Sequence, residues 1–254
     1  MTFSIIGYCP ATNAVGGAIS TSNLAVGGRC VRLAHGCGAF LSQHRTDPRL
    51  GDVGLAVLET GGTAQDAIQA VVDSGQDLSW RQLGAIDRQG NFAAFHGQEI
   101  YSVYNHSAGK NCLALGNIID NEMVTEAMRD TFVASNGETL AERLMRALEA
   151  GRDAGGEIYL PLRSATLRVT DDDGLDRCDL RVDAHDAPVA ALRQIRDEFA
   201  GPEKMMRQLT LDPGSEPVNP AQKDKSIACI AERGLAERMP PRQRVINGTA
   251  AQEI

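Results

Sequence analysis

The chain has 254 residues, of which 43% are hydrophobic and 23% charged, and this ordinary globular composition excludes a disordered or collagen-like chain. Its 33 acidic and 25 basic residues give a net charge of −8. The sequence has no basic patch, so we expect neither a nucleic-acid partner nor binding to a membrane. No run approaches the roughly 20 apolar residues of a membrane-spanning helix. The N-terminus lacks the basic segment and cleavage site of a secretory signal, so we expect a cytoplasmic protein.

The six cysteines give no indication of a metal or redox site. They lie far apart, with neither a Cys-x-x-Cys pair nor a Cys/His cluster at zinc spacing, so free thiols are expected. The run Asp-Asp-Asp-Gly at 171–174 resembles part of a calcium loop, but it lacks the glutamate that completes one and indicates a hairpin tip instead. The sequence therefore predicts no metal and no cofactor.

Short strand-like runs separated by turn residues dominate the first half of the chain. The runs at 2–8 and 15–22 flank a turn cluster at 10–13, and together they predict a β-hairpin. The second of these strands is rich in small residues, which often mark a close approach of another backbone or of a ligand. Further hairpins are predicted at 31–33 with 38–42 and at 82–87 with 92–95, and another apolar run follows at 113–119.

Helical periodicity occurs at four places in the first 200 residues. Thr63 and Asp66 form a capping-box pattern in front of an apolar stripe that ends near Gly75. Two amphipathic helices are predicted at 122–135 and 139–154. The remaining predicted elements of this part are strands at 164–170 and 178–182 and a helix that begins at Pro188.

The order of strands, helices and strands again, without regular βαβ alternation, predicts a layered α+β domain over residues 1–200. In such a domain helices pack outside antiparallel sheets. From residue 201 onward prolines become frequent, and only 221–239 has helical periodicity. We interpret 201–254 as a C-terminal extension that wraps the domain or a partner subunit, or that is partly mobile.

Thr2 has the chemistry of a self-activated nucleophile. Removal of Met1, which is usual before a small second residue, would leave an α-amino group and a hydroxyl on the same residue. A hydroxyl needs an adjacent base, and an α-amino group with a reference pKa of about 7.7–8.0 is partly neutral at physiological pH. Residue type alone favours a simpler interpretation, in which the β-branched Thr2 merely begins a strand.

A series of motifs in a fixed order extends this observation over residues 1–195. The chain opens with TFSIIGYCPATNAVGGAISTSNLAVGG at 2–28. It continues with GCGAFLSQ at 36–43, TDPRLG at 46–51, RQLGAIDRQGNFAAFHG at 81–97, LGNIIDNEMVTEAM at 115–128, ALEAGRDAGGE at 147–157, RSATLRV at 163–169 and DLRVDAHDAPVAALR at 179–193. This set resembles the Ntn-hydrolase-like family called domain of unknown function 1028 (DUF1028). The opening hairpin is also similar to that of proteasome β-type subunits, which start at a nucleophilic threonine.

The resemblance implies a four-layer αββα sandwich of two antiparallel sheets, with Thr2 as the nucleophile in hydrolysis of an amide C–N bond. It leaves the substrate open beyond a small-molecule or peptide-like amide. Proteasome-type enzymes also place a lysine near the nucleophile. In this sequence no lysine lies in the corresponding strands, and Arg29 or Arg32 are the candidates for that place.

Other residues of these motifs are candidates for the rest of a site. Amide side chains are typical oxyanion donors, which points to Asn117 and Gln43, although Gly-Asn also turns chains and a glutamine also bonds backbone. A guanidinium suits a substrate carboxylate, but an arginine at a strand start also forms ordinary salt bridges. The predicted substrate-binding residues are His44, Asp47, Arg163 and Ser164.

Three functional hypotheses remain open at this point. The first is an N-terminal-nucleophile amidohydrolase with Thr2, Asn117 and Gln43 as catalytic residues. The second is an Ntn-fold protein that has lost catalysis and binds a ligand. The third is an assembly subunit whose extension at 201–254 buries apolar surface against another chain. We expect a homodimer in each case.

Overall fold

A computed structural model of the chain describes residues 1–74, 77–159, 161–215 and 219–238. The chain divides into two compact units, Met1–Glu203 and Lys204–Ile254. The boundary that the sequence predicts after residue 200 stays a prediction. Gly75 at the end of the predicted first helix, and 239–254 of the predicted extension, lie outside the described residues.

Ten strands in the described residues form two antiparallel sheets. The six-stranded sheet has the order β10-β9-β2-β1-β8-β7, and the four-stranded sheet has the order β3-β4-β5-β6. The strands are β1 (Thr2–Cys9), β2 (Ala14–Thr21), β3 (Val31–Ala34), β4 (Gly38–Gln43), β5 (Gln82–Asp87), β6 (Phe92–His96), β7 (Tyr104–Gly109), β8 (Cys112–Asn117), β9 (Ser164–Thr170) and β10 (Asp176–Val182). The prediction of mixed α and β structure with two antiparallel sheets is confirmed.

Seven α-helices accompany the sheets in the described residues. They are α1 (Pro48–Glu59), α2 (Ala64–Ser74), α3 (Met123–Ala134), α4 (Leu140–Asp153), α5 (Pro188–Leu211), α6 (Pro220–Glu232) and α7 (Leu235–Arg238). The capping box before α2 forms as predicted, since the Thr63 backbone N–H donates to Asp66 and the Asp66 N–H donates back to the Thr63 hydroxyl. Across the part of the chain that the structure describes, no helix combines the length and apolarity needed to cross a membrane.

Successive side chains of a strand point to opposite faces of its sheet, and this alternation determines which hydrophobic core each residue joins. In β1, Phe3 and Ile5 point towards α3 and α4, whereas Ile6 and Tyr8 point towards the other sheet. The two sheets contact each other through that second set of side chains. On its outer face the four-stranded sheet packs through Phe40 against α1 and α2. Each sheet thus buries both faces, which explains why almost every residue of β1, β2, β4, β5 and β8 is buried.

Besides helix α1, which the sequence analysis does not predict, the structure differs from the predicted elements at two places. Residues 104–109 form β7 at the edge of the six-stranded sheet, where no strand is predicted. Only one residue of β7, Ser107, is buried, so this strand lacks the apolar run that identified the other strands. At the other place, α5 continues through Gly201 and Pro202 to Leu211. A proline removes one helical hydrogen bond, and that loss does not end this helix.

Candidate functional site

Polar residues occupy one end of the space between the sheets. In the six-stranded sheet, strand pairing places Ser164, Thr21, Thr2, Asn117 and Tyr104 side by side in one row, because Ser164 pairs with Thr21, and Thr2 and Tyr104 pair with Asn117. Thr21 adjoins Thr2 because Phe3 pairs with Ser20. Side chains directly opposite each other lie on the same face of a sheet. This polar row faces the other sheet and marks the boundary of the apolar core between the sheets.

A second row in the four-stranded sheet faces the first. Gln43 pairs with Gln82, and Gln82 pairs with His96. The rows are joined by hydrogen bonds, since Asn117 Nδ2 donates to Gln82 Oε1 at 2.9 Å and Gln43 Nε2 donates to the same oxygen at 2.6 Å. Ser4 Oγ donates to Gln43 Oε1 at 2.8 Å. We call these four residues the amide network, and each of them is fully buried: Ser4, Gln43, Gln82 and Asn117.

The amide network fixes the orientation of Asn117. Gln82 Nε2 donates to the Gly116 carbonyl at 2.8 Å and contacts His96 Nδ1 at 3.1 Å, so the Gln82 oxygen must face the other two amides. Asn117 therefore presents its nitrogen to Gln82. Its Oδ1 is buried without a hydrogen-bond partner in the part of the chain described. The free atom of Asn117 is thus an acceptor, whereas an oxyanion needs a donor.

Met1 covers Thr2. The Thr2 side chain is 6% exposed, and its Oγ donates to the Met1 carbonyl. The Thr21 hydroxyl donates to the same carbonyl oxygen at 2.7 Å. While Met1 is present the Thr2 nitrogen is an amide, which is no base. Loss of Met1 would free both hydroxyls and turn that nitrogen into an amine.

The α-amino group at Met1 lies in a buried and partly acidic setting. Burial lowers its pKa, and the charges of Glu157 and Cys30 act in the opposite direction. Glu157 is 1% exposed, and its two carboxylate oxygens accept from the Ser22 backbone N–H at 3.1 and 3.0 Å. Burial raises the pKa of Glu157. The site therefore holds a carboxylate next to an amine, both in a weakly hydrated place.

His44 follows Gln43 in a tight loop beside this end of the sheets. Its Nδ1 donates to the Trp80 carbonyl at 2.7 Å, and its ring stacks on Trp80 with an edge contact to Tyr101. Burial lowers the pKa of His44, and the positive Met1 amino group and Arg45 lower it further. A neutral His44 with Nδ1 engaged leaves Nε2 as an acceptor.

The other predicted substrate-binding residues have structural partners. Asp47 caps α1 through the Arg49 N–H, and its carboxylate also pairs with the Arg49 guanidinium, which lowers the pKa of Asp47 to about 2. Ser164 Oγ donates to the Asn23 carbonyl at 2.7 Å and accepts from the Val26 N–H at 3.1 Å, so it anchors a loop.

The structure brings Thr2, Asn117 and Gln43 to one end of the inter-sheet space and places His44 in the next loop. Arg163 precedes Ser164, and its guanidinium lies 3.9 Å from the exposed Asp186. No side chain in the described residues links Arg163, Ser164 or Asp47 to the amide network.

Arg29 and Arg32, the candidates for the position of the proteasome-type lysine, have partners other than Thr2. Arg32 pairs with Asp52 of α1 at 2.9 Å on the outer face of the four-stranded sheet. Arg29 donates to the Leu24 carbonyl at 3.1 Å. The inward positions of β3 are the apolar Val31 and Leu33. In this chain, no cation from β3 faces the inter-sheet space.

Sequence analysis missed several residues of this end, among them Gln82 and Glu157. Gln82 begins a strand whose other inward positions are Gly84 and the apolar Ile86, so an amide on this otherwise apolar face was a signal. Glu157 follows two glycines with positive φ and bridges to Ile119, a contact that only the folded chain reveals. Both lie in motifs that carry the resemblance to DUF1028.

Comparisons with known proteins agree with that resemblance. The family described as "Family of unknown function (DUF1028)" matches residues 2–192. Protein SPO2555 from Silicibacter pomeroyi, whose crystal structure is assigned to DUF1028, is 35% identical, with a TM-score of 0.72 over 78% of this chain and 85% of that one. Anbu (ancestral beta-subunit) from Yersinia bercovieri has 10% identity and a TM-score of 0.36 over 84% of this chain and 99% of that one. No curated protein matches the sequence significantly. The chain belongs to the DUF1028 family.

Proposed function

We propose that the protein is an N-terminal-nucleophile hydrolase of a small amide or peptide-like C–N bond, with Thr2 as nucleophile after Met1 is removed. The proposal includes the four-layer αββα sandwich of the Ntn type, because helices cover the outer face of each antiparallel sheet. It also keeps the predicted homodimer and the C-terminal extension as expectations. The observation that carries the proposal is the position of Thr2 at the polar end of an otherwise apolar inter-sheet core.

The reaction would use two groups of one residue. The Thr2 hydroxyl oxygen attacks the carbonyl carbon of the amide, and its proton passes to the Thr2 α-amino nitrogen. The Oγ–C bond forms, the C–N bond breaks, and the leaving amine takes that proton. Water then cleaves the ester, which releases the acid and restores the hydroxyl.

Two buried hydrogen-bond acceptors would set the orientation and the pKa of the Thr2 α-amino group. Asn117 Oδ1 has no partner in the described residues, and Glu157 is an acidic side chain beside the present N-terminus. An ammonium N–H donates to such acceptors, so they would orient the amine and set its pKa. Gln43 and Gln82 would act as positioning residues, since they hold the Asn117 amide in one orientation.

The sharpest test compares two chains that differ by one residue. One begins at Thr2 after cleavage of an N-terminal fusion, and the other retains Met1. Both are assayed against a panel of small amides and dipeptides by detecting the released amine. We expect turnover only in the chain that begins at Thr2, because a base contributes about 10²–10⁴-fold to such steps.

Equal turnover in the two chains would contradict the assignment of the Thr2 amine as base. Absence of turnover in both, together with saturable binding of a panel compound, would favour the catalytically inactive ligand-binding alternative.

A further inference from the structure

A cavity of about 420 Å³ lies at the other end of β1, beside Cys9. At about 3.3 Å per residue, the seven residues from Thr2 to Cys9 place it roughly 23 Å from Thr2. Its walls come from β1, β2 and β9, from the turn and first residues of α4, and from α5. The apolar part of the lining includes Ala14, Leu140, Ala141 and Val169.

Arg196 is the unusual residue of this cavity. It lies on the buried stripe of α5, four residues after Leu192 and seven after Val189, at a position where amphipathic spacing favours an apolar residue. It is 8% exposed, and its Nε has no hydrogen-bond partner in the described residues. No ion pair to Arg196 occurs among them either. A buried guanidinium N–H without a partner lowers stability, so its presence calls for a compensating group.

The other charges of the lining are largely compensated. Arg177 pairs with Asp171, and Glu138 pairs with Arg146 at 3.3 Å. Glu203 lies two helical turns from Arg196 and is partly exposed, so water screens its charge. Among the charged side chains of the lining, Arg196 is therefore the buried one for which the described residues supply no ion pair.

The start of α4 adds positive potential to the same cavity. Thr139 is the N-cap of this 14-residue helix, and Leu140 and Ala141 of its first turn line the cavity. The first backbone N–H groups of a helix carry partial positive charge and favour an anion nearby. Two independent features, the helix end and Arg196, thus favour negative charge in one apolar-walled space.

We propose that this cavity binds a small organic carboxylate, with its carboxylate on Arg196 and its apolar body against Leu140 and Val169. A guanidinium suits a carboxylate because it donates two parallel N–H bonds. The volume falls within the range of small-molecule sites and exceeds what a bare inorganic anion fills. This site is separate from Thr2 and does not depend on the proposed hydrolase activity.

Three probes of one shape test the proposal on the full chain. They are 3-phenylpropionate, its neutral amide and 3-phenylpropylamine, and binding is measured by calorimetry and by ligand-observed NMR. We expect the carboxylate to bind about tenfold or more tightly than the amide, where tenfold corresponds to about 1.4 kcal/mol, and the amine to bind least. Equal binding of carboxylate and amide, no binding of any probe at millimolar concentration, or binding of inorganic phosphate as tight as that of the carboxylate would overturn it.

Substitutions test whether Arg196 causes the preference for the carboxylate over the amide. R196Q should abolish the preference for the carboxylate, whereas R129Q, which removes an equal charge from α3, should keep it. Unlike loss of a structural arginine, R196Q should leave the melting temperature of the ligand-free protein unchanged or raised. A141F, which fills the cavity, should block binding while Arg196 remains. Unchanged binding in either R196Q or A141F, or equal loss in R129Q, would contradict the proposal.

Discussion

The two ends of the inter-sheet space are built from the same strands and the same faces, yet they differ in chemistry. At one end Ile6, Val15, Ile86 and Leu113 pack through apolar side chains. At the other end the same faces carry Thr2, Thr21 and the amide network. Burying amides costs free energy unless each is paired, and here one atom stays unpaired. The apolar end therefore holds the sheets together, while the polar end keeps a buried acceptor, Asn117 Oδ1, without a partner in the described residues.

The largest expected effect is a loss of turnover on substitution of Thr2, compared with a substitution at the apolar end of the same strand, β1. T2A should lower turnover by about 10⁴-fold or more, because the nucleophile is lost, while T2S should retain activity. Stability should change little in T2A, since among the described residues Thr2 Oγ bonds the Met1 carbonyl and no other group. I6V, on the same face of β1, should cost about 1 kcal/mol of stability and leave turnover intact. Turnover assays and chemical unfolding measure the activity and the stability of these variants. Normal turnover in T2A would show that Thr2 is not the nucleophile.

Gln82 and Ile86 offer the same comparison in β5. Q82L leaves Gln43 Nε2, Asn117 Nδ2 and the Gly116 carbonyl without their partner. We expect a loss of about 3 kcal/mol or more in unfolding free energy, since each unsatisfied buried group costs about 1–3 kcal/mol, together with lower turnover. I86V should cost about 1 kcal/mol and spare turnover. Urea titrations that give equal losses for the two variants would show that the amide network is unimportant.

Glu157 should set the pH dependence of activity. The reactive amine must be neutral, so kcat/KM should rise with pH through the pKa of the Thr2 amine. At the Met1 amino group burial lowers the pKa from the reference of about 8, and the Glu157 carboxylate raises it in part, so we expect the same two influences on a Thr2 amine. E157Q removes the charge that favours the ammonium, so the rising limb should move to lower pH. A limb that stays in place or moves to higher pH would show that Glu157 does not act on this amine.

The smallest effect concerns Asp47, outside the inter-sheet space. D47A should cost about 1 kcal/mol because α1 loses its N-cap, whereas D47N should keep the cap. The folded pKa of Asp47, about 2, lies below the reference of about 3.9, so its stabilisation is present above that reference and fades as pH falls towards 2. Unfolding at pH 7 and pH 3 measures this. A raised KM in D47N at unchanged stability would instead support the predicted contact with substrate.

Much of the fold could be predicted from sequence because alternation and capping are local signals. The hairpins of β1 with β2 and β3 with β4, and the capping box at Thr63, depend on residues close in the chain. The edge strand β7 has no such signal, since only one of its residues is buried.

The site was predictable only in part, for a related reason. Thr2, Gln43 and Asn117 attracted notice as single polar residues at strand ends. Their connection through Gln82 depends on the register between strands that are far apart in sequence, which no local pattern contains. Arg196 was not recognised because helical periodicity places it on the stripe but does not reveal that it lacks a partner.

The most direct test of the account is covalent labelling of the protein isolated from its native cells. A β-lactone is opened by a reactive hydroxyl, which leaves an ester at the nucleophile, and peptide mapping by mass spectrometry locates that ester. The account predicts chains that begin at Thr2 and carry the ester on Thr2, with no label on recombinant chains that retain Met1. Retention of Met1 throughout the native protein, or an ester on another residue while Thr2 is free, would contradict it.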